Sequence, residues 1–381
     1  MCTFIIILFS SCSFQKSKKD YRYTHELKST NEFIEFNLSS DTYMPLNDIF
    51  YFKTDSEYIA FKNKDKPELL IYNLKTKKLY KKIIFKTEGA NSIIKSIGDF
   101  YIKTLDEIYL TSPYATFVYK SDENGNILCK YDFSKTKEGI PLTTTISSMG
   151  NIEFIDGKIF LTQNLNKIYG EKTLENNSLA AILDTSKNVT ELSLVKYPNL
   201  INYKDLGTSA GFGYQYRRIF DGENFIYSFL YSDTVYKISK DHQTAEKYIL
   251  KSKYIPQIKI NRLKTDDFNK ILRLTCEEAT YEDLLYDKYR NVYYRFACPN
   301  TTVDNNDSYL EIIRSGKKQF SILILDYNFN IIGETLFPEY TYVPTAHFIN
   351  EDGLYISCSH FKNPNYNDDW LKFQRFELVK E

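Results

Sequence analysis

The 381-residue chain has no net charge, because 49 lysines and arginines balance 49 aspartates and glutamates. Without a global field it exerts no long-range pull on a polyanion, so a dedicated nucleic-acid role is set aside. It also lacks a membrane-spanning stretch: the apolar run from Phe4 to Phe9 is far shorter than the roughly 20 residues a transmembrane helix needs. The fingerprints GxSxG, HExxH, the phosphate-binding loop and the dinucleotide glycine pattern are all missing, so none of those chemistries is assigned. None of the six cysteines falls in a CxxC or other ligand spacing, and neither a metal nor a cofactor is expected.

What the chain has instead is strand-forming material, with 33 tyrosines and 27 phenylalanines. Aromatic and β-branched residues favour pleated, half-buried backbone. They gather in a hairpin pattern, first seen from Leu69 to Phe85, where LLIYNL and LYKKIIF flank the polar Lys75-Thr76-Lys77-Lys78. The pattern returns at Thr116 to Phe133, Leu179 to Val195, Thr234 to Leu250 and Phe320 to Phe337. An isolated hairpin is marginal in water, so each copy needs neighbours to bury it. Two further strand-like runs precede each copy, as around the turn Asp156-Gly157. Four-stranded units at a period of roughly fifty residues predict an all-β propeller.

The ends of the chain set the blade count at six. Val343 to Ile349, Leu354 to Ser357 and Leu371 to Val379 supply only three strands, and Asn31 to Leu38 has nothing before it to pair with. An N-terminal strand completing the last blade and closing the ring is therefore expected. Between blades four and five, Phe268, Ile271, Leu272 and Cys276 recur at helical spacing behind Thr265, Asp266 and Asp267, predicting one inserted helix. Three loops are long: Glu138 to Gly150, the Asn/Asp/Ser-rich Asn300 to Lys318, expected to be mobile, and Lys196 to Gly213, a candidate lid.

The start, MCTFIIILFSSCSF, places an apolar run and small residues before Cys12 and resembles a bacterial lipoprotein signal. The expected division is residues 1–12 as the signal ending at the lipidated Cys12, 13–30 as a flexible tether and 31–381 as one propeller. Cys2 leaves with the signal. Cys129, Cys276, Cys298 and Cys358 stay in a compartment where disulfides can form, and inert core thiols are an equal reading.

The densest run of chemistry-bearing residues is Tyr281 to Phe296, YEDLLYDKYRNVYYRF. With the signal-like start and the blade pattern, this run resembles an uncharacterised family of six-bladed propeller lipoproteins from Bacteroidetes-type bacteria, a domain of unknown function. The resemblance implies the fold and a cell-envelope location, on an undetermined side of the outer membrane, and brings no catalytic residues. Read on its own, the run places Tyr293 and Arg295 on one sheet face and Tyr294 and Phe296 on the other. Tyr216, Arg217, Arg218, Arg290, Tyr293 and Arg295 are the candidate binders of a carboxylate, phosphate or sugar acid. The competing reading, favoured for the Tyr281 to Phe296 run, is that these side chains bridge blades through Asp287 or backbone carbonyls. His347, on the expected innermost strand of blade six, is the one candidate base, and His360 has no clear partner. Asp99, Glu153, Asp221 and Asp283 could face the channel or serve as turn and bridging residues.

These observations lead to an envelope-tethered, monomeric binding protein for a small acidic ligand or an envelope protein, with a hydrolase or lyase acting on an acidic sugar or lactone as the alternative. The discriminating observation is whether Arg217, Arg218, Tyr293, Arg295 and His347 converge at one mouth of the channel.

Overall fold

The computed structural model describes residues 23–64, 66–143, 152–162, 177–198, 215–258 and 267–381. Cys12, residues 199–213 of the candidate lid, Thr265 and Asp266 lie outside the described residues. The chain forms six antiparallel four-stranded sheets. The first strand, β1 (His25–Asn37), belongs to the last sheet. Blade one is β2 (Phe50–Lys53), β3 (Glu57–Lys62), β4 (Glu68–Asn73) and β5 (Lys78–Ile84), and blade two is β6 (Phe100–Thr104), β7 (Glu107–Ser112), β8 (Ala115–Ser121) and β9 (Ile127–Asp132). Blade three is β10 (Glu153–Ile155), β11 (Lys158–Leu161), β12 (Ala181–Asp184) and β13 (Val189–Leu192). Blade four is β14 (Tyr216–Phe220), β15 (Asn224–Phe229), β16 (Thr234–Ser239) and β17 (Ala245–Ile249). Helix α1 (Phe268–Glu277) precedes blade five, which is β18 (Thr280–Asp287), β19 (Val292–Cys298), β20 (Ser321–Asp326) and β21 (Ile331–Leu336), with helix α2 (Tyr309–Ser315) between its second and third strands. The sixth sheet runs β22 (Val343–Ile349), β23 (Leu354–Ser357), β24 (Trp370–Lys380), with β1 outermost.

The repeated hairpin has a local cause. The residue ending the third strand of four blades is Asn73, Asp122 (just past β8), Asp184 or Asp326. Its side-chain oxygen accepts backbone N–H groups two to four residues on: Thr76 in blade one, Asn124 and Asn126 in blade two, Ser186 and Lys187 in blade three, Asn328 and Asn330 in blade five. Such Asx turns reverse the chain without help from the core. In blade two Gly125 supplies a φ of +77°, and a β-carbon there would press on the Ile84 carbonyl of blade one.

Once formed, each blade buries both faces. Apolar clusters lie between neighbours all round the ring: Ile71 with Leu110, Val118 with Leu183, Phe160 with Phe225, Ile226 with Leu323, Tyr294 with Ile356, and Phe348 with Tyr72. The core is thus distributed between blades, which is how a chain of this length avoids needing a single large interior.

Two expectations need correction. The strand at the N-terminus begins at His25, so residues 25–30 are not tether: Leu27 is buried between blades five and six, and its N–H donates to Thr335 Oγ1 at 2.8 Å. The Asn300 to Lys318 segment is not a bare loop, because α2 sits in it and buries Ile312 against Cys276 and Val303. The α1 cap is Asp267, whose side chain accepts from the N–H groups of Asn269 and Lys270.

Candidate functional site

The first strands of successive blades meet around the axis. There the strands of blades one, four, five and six enclose a cavity of about 240 Å³. Three features of backbone geometry deliver its polar groups. Alternation along β14 sends Arg217 toward blade five, where its Nε donates to the Glu282 carbonyl at 3.0 Å, and Arg218 toward blade three, where Nη2 donates to the Phe160 carbonyl at 3.0 Å. In β18 the register slips between Tyr281 and Leu284, and Asp283 stands in that bulge. In β22 it slips between Val343 and His347. Bulges re-aim side chains, and these two bring Asp283 Oδ2 and His347 Nε2 to 2.9 Å across the gap between blades five and six. Arg217 Nε lies 3.8 Å from the other Asp283 oxygen.

Burial alone would push the Asp283 carboxyl up. The hydrogen bond and charge of His347, the charge of Arg217 and the Leu284 N–H outweigh it and hold Asp283 below the usual carboxylate range. Asp283 is therefore an acceptor only, and the His347 ring must present Nε2–H to it. No described residue bonds His347 Nδ1 or the two terminal nitrogens of Arg217.

The opposite side of the axis carries carboxyls. Asp48 lines the cavity and pairs with Lys62 at 3.1 Å, and Lys62 also donates to the Gly98 carbonyl. Asp99 is fully buried, and burial, aided by the Asp48 charge and offset by Lys62, pushes it up to about 7, although it accepts the N–H groups of Phe100 and Ile152. Burial likewise pushes Glu153 up to about 7 against the pull of Arg218. Nothing in the local sequence marked Asp48 or Lys62: they stand in no motif, and only the closing of the ring brings them to the axis.

The remaining candidates lie elsewhere. Tyr216 is buried and its hydroxyl donates to the Leu179 carbonyl of blade three. Arg290 joins blade five to blade six through Asp287 and the carbonyls of Asn350 and Glu351. Tyr293 donates to Asp221 at 2.6 Å. Arg295, completely buried, donates to Ser228 Oγ and to the carbonyls of Ser232, Asp233 and Leu250, with its guanidinium 3.5 Å from the Tyr281 ring centre. Arg217 and His347 thus converge through Asp283, whereas the Arg218 guanidinium turns to blade three and Tyr293 and Arg295 bind blade five to blade four. His360 donates through Nε2 to the Gly316 carbonyl, because its Nδ1 accepts the Lys362 N–H. Cys129, Cys276, Cys298 and Cys358 are free thiols.

Six four-stranded sheets around a polar axial cavity define a six-bladed β-propeller. By sequence the chain matches, over residues 24–336, the family described as domain of unknown function DUF4221, and it belongs to that family. A crystal structure of a family member from Bacteroides vulgatus superposes with a TM-score of 0.82 at 24% identity, covering 94% of this chain and 100% of that one. A protein of Bacteroides fragilis described as exported gives a TM-score of 0.53 at 12% identity, over 93% and 96% of the two chains. No curated protein matches.

Proposed function

We propose that this protein is a binding protein of the bacterial cell envelope, tethered through a lipid on Cys12, whose axial cavity holds a small acidic ligand. The observation that carries the reading is the Arg217 guanidinium: the residue lines the cavity, its Nε is engaged, and its two Nη groups have no acceptor among the described residues. A guanidinium fork of this kind suits a carboxylate or phosphate. At about 240 Å³ the space is that of a small metabolite. Titration calorimetry of the lipid-free protein with acetate, phosphate, gluconate and glucuronate tests the reading. At least one should bind, and Arg217→Gln should weaken it about tenfold or more while shifting unfolding stability by less than about 1 kcal/mol. Absence of binding by every acid would remove the proposal.

A second reading is favoured by the Asp283–His347 pair, since a carboxylate that orients an imidazole also serves a general base. In that reading the bound acid is a substrate, and turnover of acidic glycosides or lactones should be lost in His347→Gln.

We also propose that β1 closes the ring. The pairing of β1 with β24 from His25↔Lys380 to Asn37↔Trp370 supports this, as does the packing of Phe36 with Phe373 and Tyr72.

A further inference from the structure

Asp283 does more than balance charge. Because it only accepts, it takes the Nε2–H of His347 and leaves Nδ1 as the ring nitrogen open to a ligand. Nδ1 has no partner among the described residues, and its residue, only 9% exposed, lines the cavity. A ring nitrogen left open on the wall of a cavity, beside a guanidinium, suits a polar group on the ligand. Arg217 and His347 approach the two oxygens of the same carboxylate, Nε at 3.8 Å from one and Nε2 at 2.9 Å from the other, so both side chains stand at the same corner of the cavity.

We infer that the cavity selects an acid that also carries a hydroxyl a few bonds from its carboxylate, with Arg217 taking the carboxylate and His347 Nδ1 hydrogen-bonded to the hydroxyl. The ligand class is the hydroxy acids, including sugar acids. A simple fatty or alicyclic acid satisfies the arginine and leaves the imidazole nitrogen bare. Tyr51 and Phe348, stacked at 6.0 Å with their planes 9° apart, give the same cavity an apolar wall against which a carbon ring can lie.

This inference rests on the acid-binding reading, and the experiment separates the two. Calorimetry compares D-glucuronate with cyclohexanecarboxylate on the wild type, on His347→Gln and on Arg217→Gln. His347→Gln retains an amide donor toward Asp283 and removes the Nδ1 position, and a thermal melt confirms that each variant is folded. The wild type should prefer glucuronate by about tenfold, one hydrogen bond's worth. His347→Gln should reduce that preference to within about twofold, and Arg217→Gln should weaken both acids. If neither acid binds the wild type, the acid-binding reading fails. Equal binding of the two acids, or a preference that survives His347→Gln, overturns the hydroxyl assignment while leaving the acid site standing. Should His347→Gln not fold, His347→Asn takes its place: its amide stands near the Nδ1 position, and a glucuronate preference kept there and abolished in His347→Phe supports the assignment, whereas one kept in both overturns it.

Discussion

Arg217 and Arg218 are adjacent in sequence and serve different blades, while Arg295, similar in kind, faces no cavity at all. The difference is one of partners. Arg295 satisfies a hydroxyl and three carbonyls in a site with no solvent, so Arg295→Met should strand those acceptors and lower unfolding stability by about 3 kcal/mol or more, read from urea denaturation. Arg217→Gln strands nothing comparable. Buried histidines supply a pH test at the same scale. Burial, with the nearby Arg218 charge, holds His242 down at about 4, and burial with Lys362 does the same for His360. In the unfolded chain both titrate near ~6.5. The stability they contribute is therefore complete above that value and lost as pH falls toward 4, because the unfolded state binds the extra proton first. Asp99 and Glu153 work in the opposite sense: raised to about 7, they contribute stability at low pH that is lost as pH rises through 7. The two effects overlap in wild type, so the useful quantity is a difference. His242→Phe, set between Phe160 and Phe225, should gain on wild type by on the order of 2 kcal/mol between pH 7 and pH 4, and a constant difference would refute the assignment.

At the level of elements, the hairpins were readable because their turn chemistry is local: an Asx residue, a short polar run and flanking apolar strands need no knowledge of the rest of the chain. Helix α2 carries local signals too. Ser308 before it, Glu311 three residues on, Arg314 in the last turn and Gly316 at a φ of +104° beyond it are start and stop signals that the surrounding asparagines and aspartates obscured. The cavity was not readable in the same way. Asp283 and His347 reach it through register slips, and a bulge has no firm signature in a single sequence. For Tyr281 to Phe296, alternation assigned the two faces, but only the neighbouring blade decides whether a face meets a channel or another sheet. The outermost strand of blade six yields its own prediction. β1 packs so closely on blade five that a β-carbon at Gly333 would overlap the His25 carbonyl, and Thr24 N–H donates to the Ile332 carbonyl at 2.7 Å. Deleting residues 31–38 should lower the melting temperature far more than removing 13–22; equal effects would show that β1 is dispensable to the ring.

For the whole molecule, the fold follows from pattern, and the proposed location rests on the signal-like start. Among the described residues no helix is long and apolar enough to cross a membrane, so the proposed attachment depends on Cys12. Cys12→Ala should abolish acylation and shift the protein from the membrane pellet to a soluble or unprocessed form, as read by fractionation; unchanged fractionation would remove the anchor. The pairing of His25 with Lys380 also bears on how the molecule is made. A chain synthesised from its N-terminus produces β1 first and its partner β24 last, with five complete blades in between. Until β24 is made, β1 lacks its partner while bearing Phe36 and Leu27, the kind of segment that seeks foreign edges. In the proposed closure, folding ends with a long-range zipping step, and the interval before β24 arrives is when a folding helper has most to protect.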